Sequence, residues 1–210
     1  MATATRRQPV QRRGVDRAAR ILDAAAALVD DLGPASVTTT LIAQRAGTSV
    51  GSLYAYFGDV TDVFDAIVLR CIAKQVRLSD EVRDQAPGLD FFQQADRVID
   101  RSVELYRTET GFRALWFSSH LSSAMVAEMR RSDESLARHL LRRLRASGTD
   151  VVADHPLAVL RMHVCIVDKG LQLAFDLHPD GHRATIAETK VAMRRYLQPY
   201  LRPLHETRSR

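Results

Sequence analysis

The sequence predicts an all-α protein of about nine helices. Over most of the chain, apolar residues recur at intervals of three and four, as they do along one face of a helix. Glycine and proline fall between these segments and separate them. No stretch of useful length alternates apolar and polar residues, so we expect no strands.

The predicted segments follow one another along the whole chain. In order they are residues 21–32, 39–46, 50–57, 61–82, 91–107, 112–121, 125–146, 156–177 and 184–201. Gly33-Pro34 ends the first segment, since glycine suits a left-handed cap and proline cannot continue a helix. Thr38 and Ser49 are suited to cap the second and third helices. Gly47 separates these two short helices.

The later breaks have similar causes. Ala86-Pro87-Gly88 divides the fourth helix from the fifth, and Gly111 precedes the short apolar sixth segment. Ser147-Gly148 closes the charged seventh helix, which we expect to have a break near Ser132. The eighth helix is nearly all apolar, and we therefore expect it to be buried on more than one side.

Composition is that of a globular protein. Of 210 residues, 46% are hydrophobic and 26% are charged. No apolar run is long enough to predict a transmembrane helix, and no apolar region follows the N-terminal arginines as in a secretory signal. The two cysteines, Cys71 and Cys165, lie in apolar runs, which disfavours a disulfide framework and fits the reducing cytoplasm.

The net positive charge is confined to the N-terminus. Residues 1–20 contain six arginines and one acid, so they carry a charge equal to the +5 of the whole chain. A basic arm on a neutral body is typical of a polyanion binder, because each neutralised phosphate releases a counterion. From charge alone, a tail that merely keeps the protein in solution remains an equal alternative. We expect residues 1–13 to form a flexible basic arm.

Residues 39–57 have the organisation of a helix-turn-helix. Two short amphipathic helices are joined by Gly47-Thr48-Ser49, a turn of the required length that contains glycine. In such a motif the second helix enters the DNA major groove and the first crosses the backbone. The generic motif is a weak signal, but here it follows an amphipathic helix and a basic arm.

The segment Thr38–Phe57 resembles the DNA-binding signature of the TetR (tetracycline repressor-like) family of transcriptional regulators. The matching positions are Ile42-Ala43, Ala46-Gly47, Ser49, Leu53-Tyr54 and Phe57. The resemblance is close over residues 14–75 and extends beyond them only in size and helical character. It implies a three-helix DNA-binding domain at residues 14–60, followed by a helical domain at 61–210 that binds an effector and dimerises.

The resemblance also implies roles for individual residues. Thr38 would cap the first helix of the motif, and Thr39 and Thr40 would face phosphates. The recognition surface would consist of Ser49, Val50, Gly51, Ser52, Tyr54, Ala55 and Tyr56. The core beneath it would consist of Ile42, Ala43, Ala46, Leu53 and Phe57. Further phosphate contacts are expected from the arm residues Arg6, Arg7, Arg12 and Arg13.

Three positions depart from the family pattern. Leu41 replaces a residue that is usually polar or acidic, Thr48 replaces a valine, and Val60 stands where lysine is common. The recognition helix itself carries no charge. We therefore expect affinity to depend strongly on the arm, and base readout to use hydroxyl groups and apolar contacts with thymine methyl groups.

In the C-terminal half we expect two functional surfaces. The last two long helices would pair with a second copy in a dimer, although burial within one subunit is the alternative. The aromatic residues Phe112 and Trp116, with His120 and His163, are expected to line a pocket for a small molecule. The alternative is that these four residues serve only in the core.

The expected function is that of a homodimeric repressor that leaves a palindromic double-stranded DNA operator when it binds a small apolar or aromatic effector. A ligand-independent DNA-binding protein and an all-helical enzyme are the alternatives. The enzyme is disfavoured because no Gly-rich phosphate loop, H-E-x-x-H or G-x-S-x-G motif occurs. We expect no catalytic residues, metal, cofactor or membrane partner.

Overall fold

The computed structural model describes residues 8–85 and 88–204, without the side chains of residues 8–13 and Arg83. The described residues form nine α-helices. They are α1 (Gln8–Leu32), α2 (Thr39–Arg45), α3 (Val50–Tyr54), α4 (Val60–Gln85), α5 (Phe91–Thr108), α6 (Phe112–Trp116), α7 (Ser123–Ala146), α8 (Pro156–Leu177) and α9 (Arg183–Leu197). Two 3₁₀ turns, Pro34–Ser36 and Gln198–Tyr200, and two short strands complete the fold. The predicted all-α class is confirmed.

Several helices differ in extent from the prediction. The third ends at Tyr54 and the sixth at Trp116, each several residues early. The seventh continues through Ser132 without a break. The ninth ends at Leu197, because Pro199 follows in a 3₁₀ turn and cannot donate a helical hydrogen bond.

The first helix begins earlier than the sequence suggested. The backbone of Gln8–Arg13 lies in α1, so the described part of the expected arm is helical. The limits and the flexibility of the arm stay predictions. Pro9 is tolerated because it lies in the first turn, and the single Gly14 costs only about 1 kcal/mol. Residues 1–7, with Arg6 and Arg7, lie outside the described part of the chain.

A two-stranded antiparallel sheet was not expected. Strand β1 (Thr149–Val151) pairs with β2 (Leu201–Pro203), with Val151 opposite Leu201. Hydrogen bonds from Val152 N–H to the Tyr200 carbonyl and from Leu204 N–H to the Gly148 carbonyl, both 2.9 Å, extend the ladder. Strands of three residues are too short to give a readable alternation.

The chain divides into two compact units. The first extends to Lys74 and includes Glu109–Ser123, and the second comprises Gln75–Thr108 and the chain from Ala124 onward. No pattern in the sequence indicated that α6 belongs with the N-terminal helices. The division of function at residue 60 stays a prediction.

In the first unit, apolar residues of α1 to α4 form the core. Fully buried members are Ile21, Ala25, Ile42, Leu53, Val63, Ile67 and Val68. Gly111, at φ +73°, begins α6 directly against α1, where a Cβ atom would lie 2.7 Å from the Ala26 Cα. Only glycine allows both this backbone conformation and this approach.

In the second unit, α8 and α9 pack most closely. A Cβ atom on Gly170 would lie 2.2 Å from the Thr189 Oγ1, so the α8 backbone packs directly against the Thr189 side chain of α9. The rings of Tyr106 and Phe175 stack with centroids 5.3 Å apart and join α5 to α8. Among the helices that the structure describes, none combines the length and apolar character that crossing a membrane requires.

Candidate DNA-binding site

Both helices of the motif are capped as expected. The Thr38 Oγ1 accepts a hydrogen bond from the Leu41 N–H at 3.3 Å, and the Ser49 Oγ accepts one from the Ser52 N–H at 3.0 Å. Gly47 provides the left-handed residue of the turn, at φ +61°. The two caps satisfy N–H groups that would otherwise lack partners at the helix starts.

The inner face of the motif joins the core of the first unit. Ile42 and Leu53 are completely buried, and Ala43 nearly so. Ala46 and Phe57, which we expected in the core, are only half-buried. The burial of Leu53 fixes the rotation of α3 and so determines which of its residues point to solvent.

The outer face of α3 and the residues after it present hydroxyl and apolar groups. The side chains of Tyr54 and Tyr56 are exposed, as are Gly51 and Ala55, whereas Val50 and Ser52 are partly exposed. The Ser49 hydroxyl donates to the Ser52 Oγ at 2.9 Å. Because Ser52 accepts this bond, its own proton is free to donate to a base edge or a phosphate.

Two residues of the predicted surface also contact neighbouring helices. The Tyr54 hydroxyl lies 3.3 Å from the Thr39 Oγ1 and links α3 to α2. The Tyr56 hydroxyl lies beside α1, 3.7 Å from where a Cβ atom of Gly14 would be. Tyr56 therefore lies between the recognition segment and the helix that continues into the basic N-terminus.

Arg45 is the one charged residue within residues 38–57. Its guanidinium Nη1 donates to the Asp31 Oδ2 of α1 at 3.1 Å, and both side chains are about half exposed. The pair therefore contributes little to stability but directs the cation towards an acid. Sequence reasoning missed this contact because periodicity does not relate residues on different helices.

The arm residues remain predictions. Arg6 and Arg7 lie outside the described residues. The backbone of Arg12 and Arg13 is helical, but their side chains are not described. Arg17 and Arg20 are exposed on the same helix.

The four residues expected to bind an effector are divided between the units. Phe112 is buried and Trp116 is half-buried on α6 in the first unit, with ring centroids 5.1 Å apart. His120 follows them in the segment before α7 and is exposed. His163 belongs to α8 of the second unit.

His163 is the most perturbed histidine among the described residues. Only 4% of it is exposed, its ring centroid lies 6.0 Å from that of Phe91, and it hydrogen-bonds to the backbone of Met193. Its Nδ1 has no hydrogen-bond partner within the described part of the chain. Burial lowers the pKa of His163 to about 4, against the opposing effect of the Met193 bond, so the ring is neutral at pH 7. Over residues 8–85 and 88–204, no group of three or more His, Cys, Asp or Glu is arranged to hold a metal ion.

Two family models match the chain. Residues 21–67 match the model described as bacterial regulatory proteins of the tetR family, and residues 90–201 match a tetracyclin repressor-like C-terminal domain. The chain belongs to the TetR family. The TetR-family protein is therefore a DNA-binding transcriptional regulator, and the helix-turn-helix of α2 and α3 falls within the N-terminal match.

Individual relatives of this TetR-family regulator agree with that assignment. The HTH-type transcriptional regulator BetI of Vibrio vulnificus (strain YJ016) is 24% identical over 190 residues, which are 88% of this chain and 92% of the relative. A TetR-family transcriptional regulator from Streptomyces coelicolor has a TM-score of 0.69 and 28% identity, covering 88% of this chain and 99% of that one. The SmeT–triclosan complex has a TM-score of 0.62 and 21% identity, with 89% and 92% covered.

Proposed function

We propose that the protein is a homodimeric repressor that binds a palindromic operator and leaves it when a small apolar or aromatic effector binds. The observation that carries the proposal is the capped helix-turn-helix, whose outer face consists of exposed hydroxyl and apolar groups. A second copy is needed because a single motif reads only one half of a palindrome. The protein would act in the cytoplasm, where its operator lies, and its two cysteines are free.

The face of α8 that turns away from the core supports dimerisation. Met162, Leu173 and Leu177 are each at least half exposed and recur at helical spacing. Charges of both signs, such as Lys169 and Asp176, lie on the exposed part of the same helix. A surface with apolar residues and both charges can complement its own twofold copy, as an isologous interface requires.

The change Leu173→Glu tests the dimer. It should produce a monomer in analytical ultracentrifugation and reduce operator affinity by at least about tenfold, because a buried unpaired carboxylate is costly. Leu136→Glu, at a similarly exposed leucine of α7, is the matched control and should leave both unchanged. A Leu173→Glu variant that remains dimeric would contradict the interface.

Effector release is supported by the aromatic pair on α6 and by the SmeT–triclosan complex among the similar structures. Phe112 and Trp116 belong to the same compact unit as the recognition helix, so a ligand that separates their rings would act within that unit. The effector can shift the equilibrium only by its differential affinity for the two states, typically about 1–3 kcal/mol.

Trp116 is the single tryptophan, so its emission reports on α6 without a label. Candidate apolar compounds should be titrated while Trp116 emission and operator release are followed together. An effector should change both in parallel, and Trp116→Ala should weaken the response. Compounds that release DNA from wild type and from Trp116→Ala alike, with emission unchanged, would place the pocket elsewhere.

A further inference from the structure

An open cavity of about 400 Å³ lies in the first unit, beside both ends of the helix-turn-helix. We call it the head niche. It is lined by Pro34, Ala35 and Val37, by the α4 residues Val60, Thr61 and Phe64, and by residues 119–121. Its position is unexpected, since the sequence suggested an effector pocket only in the C-terminal part of the chain.

The walls of the head niche are held by local hydrogen bonds. The Val37 N–H donates to the Pro34 carbonyl at 3.3 Å within the 3₁₀ turn. The Asp59 carboxylate caps α4, since its Oδ1 accepts a hydrogen bond from the Asp62 N–H at 2.9 Å. A preformed site loses less entropy when a ligand binds.

The segment of residues 119–121, which forms the remaining wall of the head niche, is attached to α4 by one carboxylate. Asp65 accepts hydrogen bonds from the Ser122 N–H at 3.2 Å and from the Ser122 hydroxyl. The Ser118 hydroxyl accepts another from the His120 N–H at 3.2 Å. The segment that carries the His120 ring is thereby kept against the start of α4.

The lining combines an apolar base with hydrogen-bonding side chains. Val37 and Phe64 are buried and form apolar surface at the base. Thr61, Ser119 and His120 bring two hydroxyl groups and an imidazole, and none of the described residues that line the cavity carries a carboxylate. The volume lies at the lower end of the range for small-molecule sites. This chemistry suits a flat apolar body that carries an acceptor oxygen.

We propose that the head niche binds a small aromatic molecule with a carbonyl or carboxylate oxygen, and that this binding changes operator affinity. Residues 34–37 directly precede the α2 cap, and Val60 starts α4 soon after α3 ends. A ligand that contacts both segments therefore contacts the chain on each side of the motif. The second part of this proposal, the change in operator affinity, is its regulatory half and rests on the proposed function.

The test uses full-length protein with two probes, 2-naphthoate and its neutral counterpart 2-naphthamide, in isothermal titration calorimetry. Ala35→Phe fills the niche at an exposed position and should weaken binding at least tenfold. Ser36→Phe changes the neighbouring exposed residue, which does not line the niche, and should bind as wild type does. His120→Ala should weaken binding about 5- to 10-fold through a lost hydrogen bond. Tighter binding of 2-naphthoate would identify the preferred acceptor as a carboxylate, and tighter binding of 2-naphthamide would identify it as a carbonyl.

Absence of binding by both probes, or equal affinity of Ala35→Phe and wild type, would overturn the niche as their site. Operator affinity is then measured by fluorescence anisotropy with saturating probe. Binding that Ala35→Phe abolishes, with operator affinity unchanged, would overturn the regulatory half alone. If another compound releases the operator equally from wild type and Ala35→Phe, the proposed function stands and its effector binds elsewhere.

Discussion

The hydroxyl groups of Thr39 on α2 and Tyr54 on α3 lie 3.3 Å apart. This contact joins the two helices of the motif at their solvent-facing side, while Ile42 and Leu53 join them in the core. It also restricts the orientation of the exposed Tyr54 ring. A recognition surface without charges depends on such orientation, since neutral hydrogen bonds are directional and short-ranged.

We predict that Tyr54→Phe weakens operator binding about 3- to 10-fold, because the variant lacks the hydroxyl that bonds to Thr39 and to the DNA. Thermal unfolding should be nearly unchanged, as Tyr54 is half exposed. Thr39→Val provides the comparison in a double-mutant cycle measured by anisotropy. Strictly additive losses of affinity would contradict coupling of these two hydroxyl groups.

The basic N-terminus should determine the salt dependence of binding. Replacing Arg6, Arg7, Arg12 and Arg13 by glutamine keeps the chain length and should flatten the slope of log K against log salt by roughly one unit for each phosphate that the arm no longer neutralises. Affinity should fall equally for operator and random DNA. Four α7 arginines, Arg130, Arg131, Arg138 and Arg142, changed to glutamine serve as the control. An unchanged slope in the first variant would refute the role of the arm.

Arg45 should become available to DNA when its acid partner is neutralised. We predict that Asp31→Asn raises affinity for all DNA sequences and steepens the salt slope by about one unit, because a cation next to the motif is released. Its effect on stability should stay below about 1 kcal/mol, since the pair is half exposed. Asp23→Asn, which removes the partner of Arg70 instead, should not change the slope.

The close packing of α8 on α9 should make Gly170 intolerant of a side chain. Gly170→Ala places a methyl group 2.2 Å from the Thr189 Oγ1, and we predict a loss of about 1–3 kcal/mol in the free energy of unfolding. Thr189→Ala in the same chain should restore part of that stability, as it removes the oxygen. Gly51→Ala is the control and should not destabilise, because a Cβ atom there would meet no atom of another element within 4 Å. Equal stability of both alanine variants would contradict the packing.

His163 should make the protein less stable in acid. Its pKa is about 4 in the folded state against 6.5 in the unfolded chain, so the unfolded state binds more protons between these values. The free energy of unfolding should therefore fall as pH decreases from 6.5 to 4, by about 3 kcal/mol from this group. Above pH 7, where His163 is neutral in both states, its titration should not affect the free energy of unfolding. Urea unfolding of His163→Gln should lack this component, whereas the exposed His155→Gln should retain it.

The sequence predicted the elements that depend on local chemistry. The Thr38 and Ser49 hydroxyls each cap a helix by accepting a hydrogen bond from the N–H three residues later, and Leu53 belongs to a periodic apolar stripe. Helix caps and core positions of this kind could therefore be identified from spacing. The contacts of Asp31 with Arg45 and of Gly111 with Ala26 could not, because each joins helices whose packing is decided by the whole core. The β1–β2 pair escaped detection because strands of three residues are too short to show an alternating pattern. The sequence predicted that His120 binds a ligand, and this stays a prediction. It could not show that Ala35 and Phe64 line a cavity with His120, because they lie far away in sequence.

The first unit is built from two separate stretches of chain, and this affects how regulators of this kind can be recombined. A hybrid that joins this chain up to Lys74 to a foreign C-terminal domain would leave Gly111, Glu109 and Ser122 behind. It would lack the packing of Gly111 against Ala26, the Lys74–Glu109 ion pair and the hydrogen bonds from Ser122 to Asp65. Transferring the whole first unit into a hybrid therefore requires three junctions, after residues 74, 108 and 123, rather than a single junction after the recognition helix.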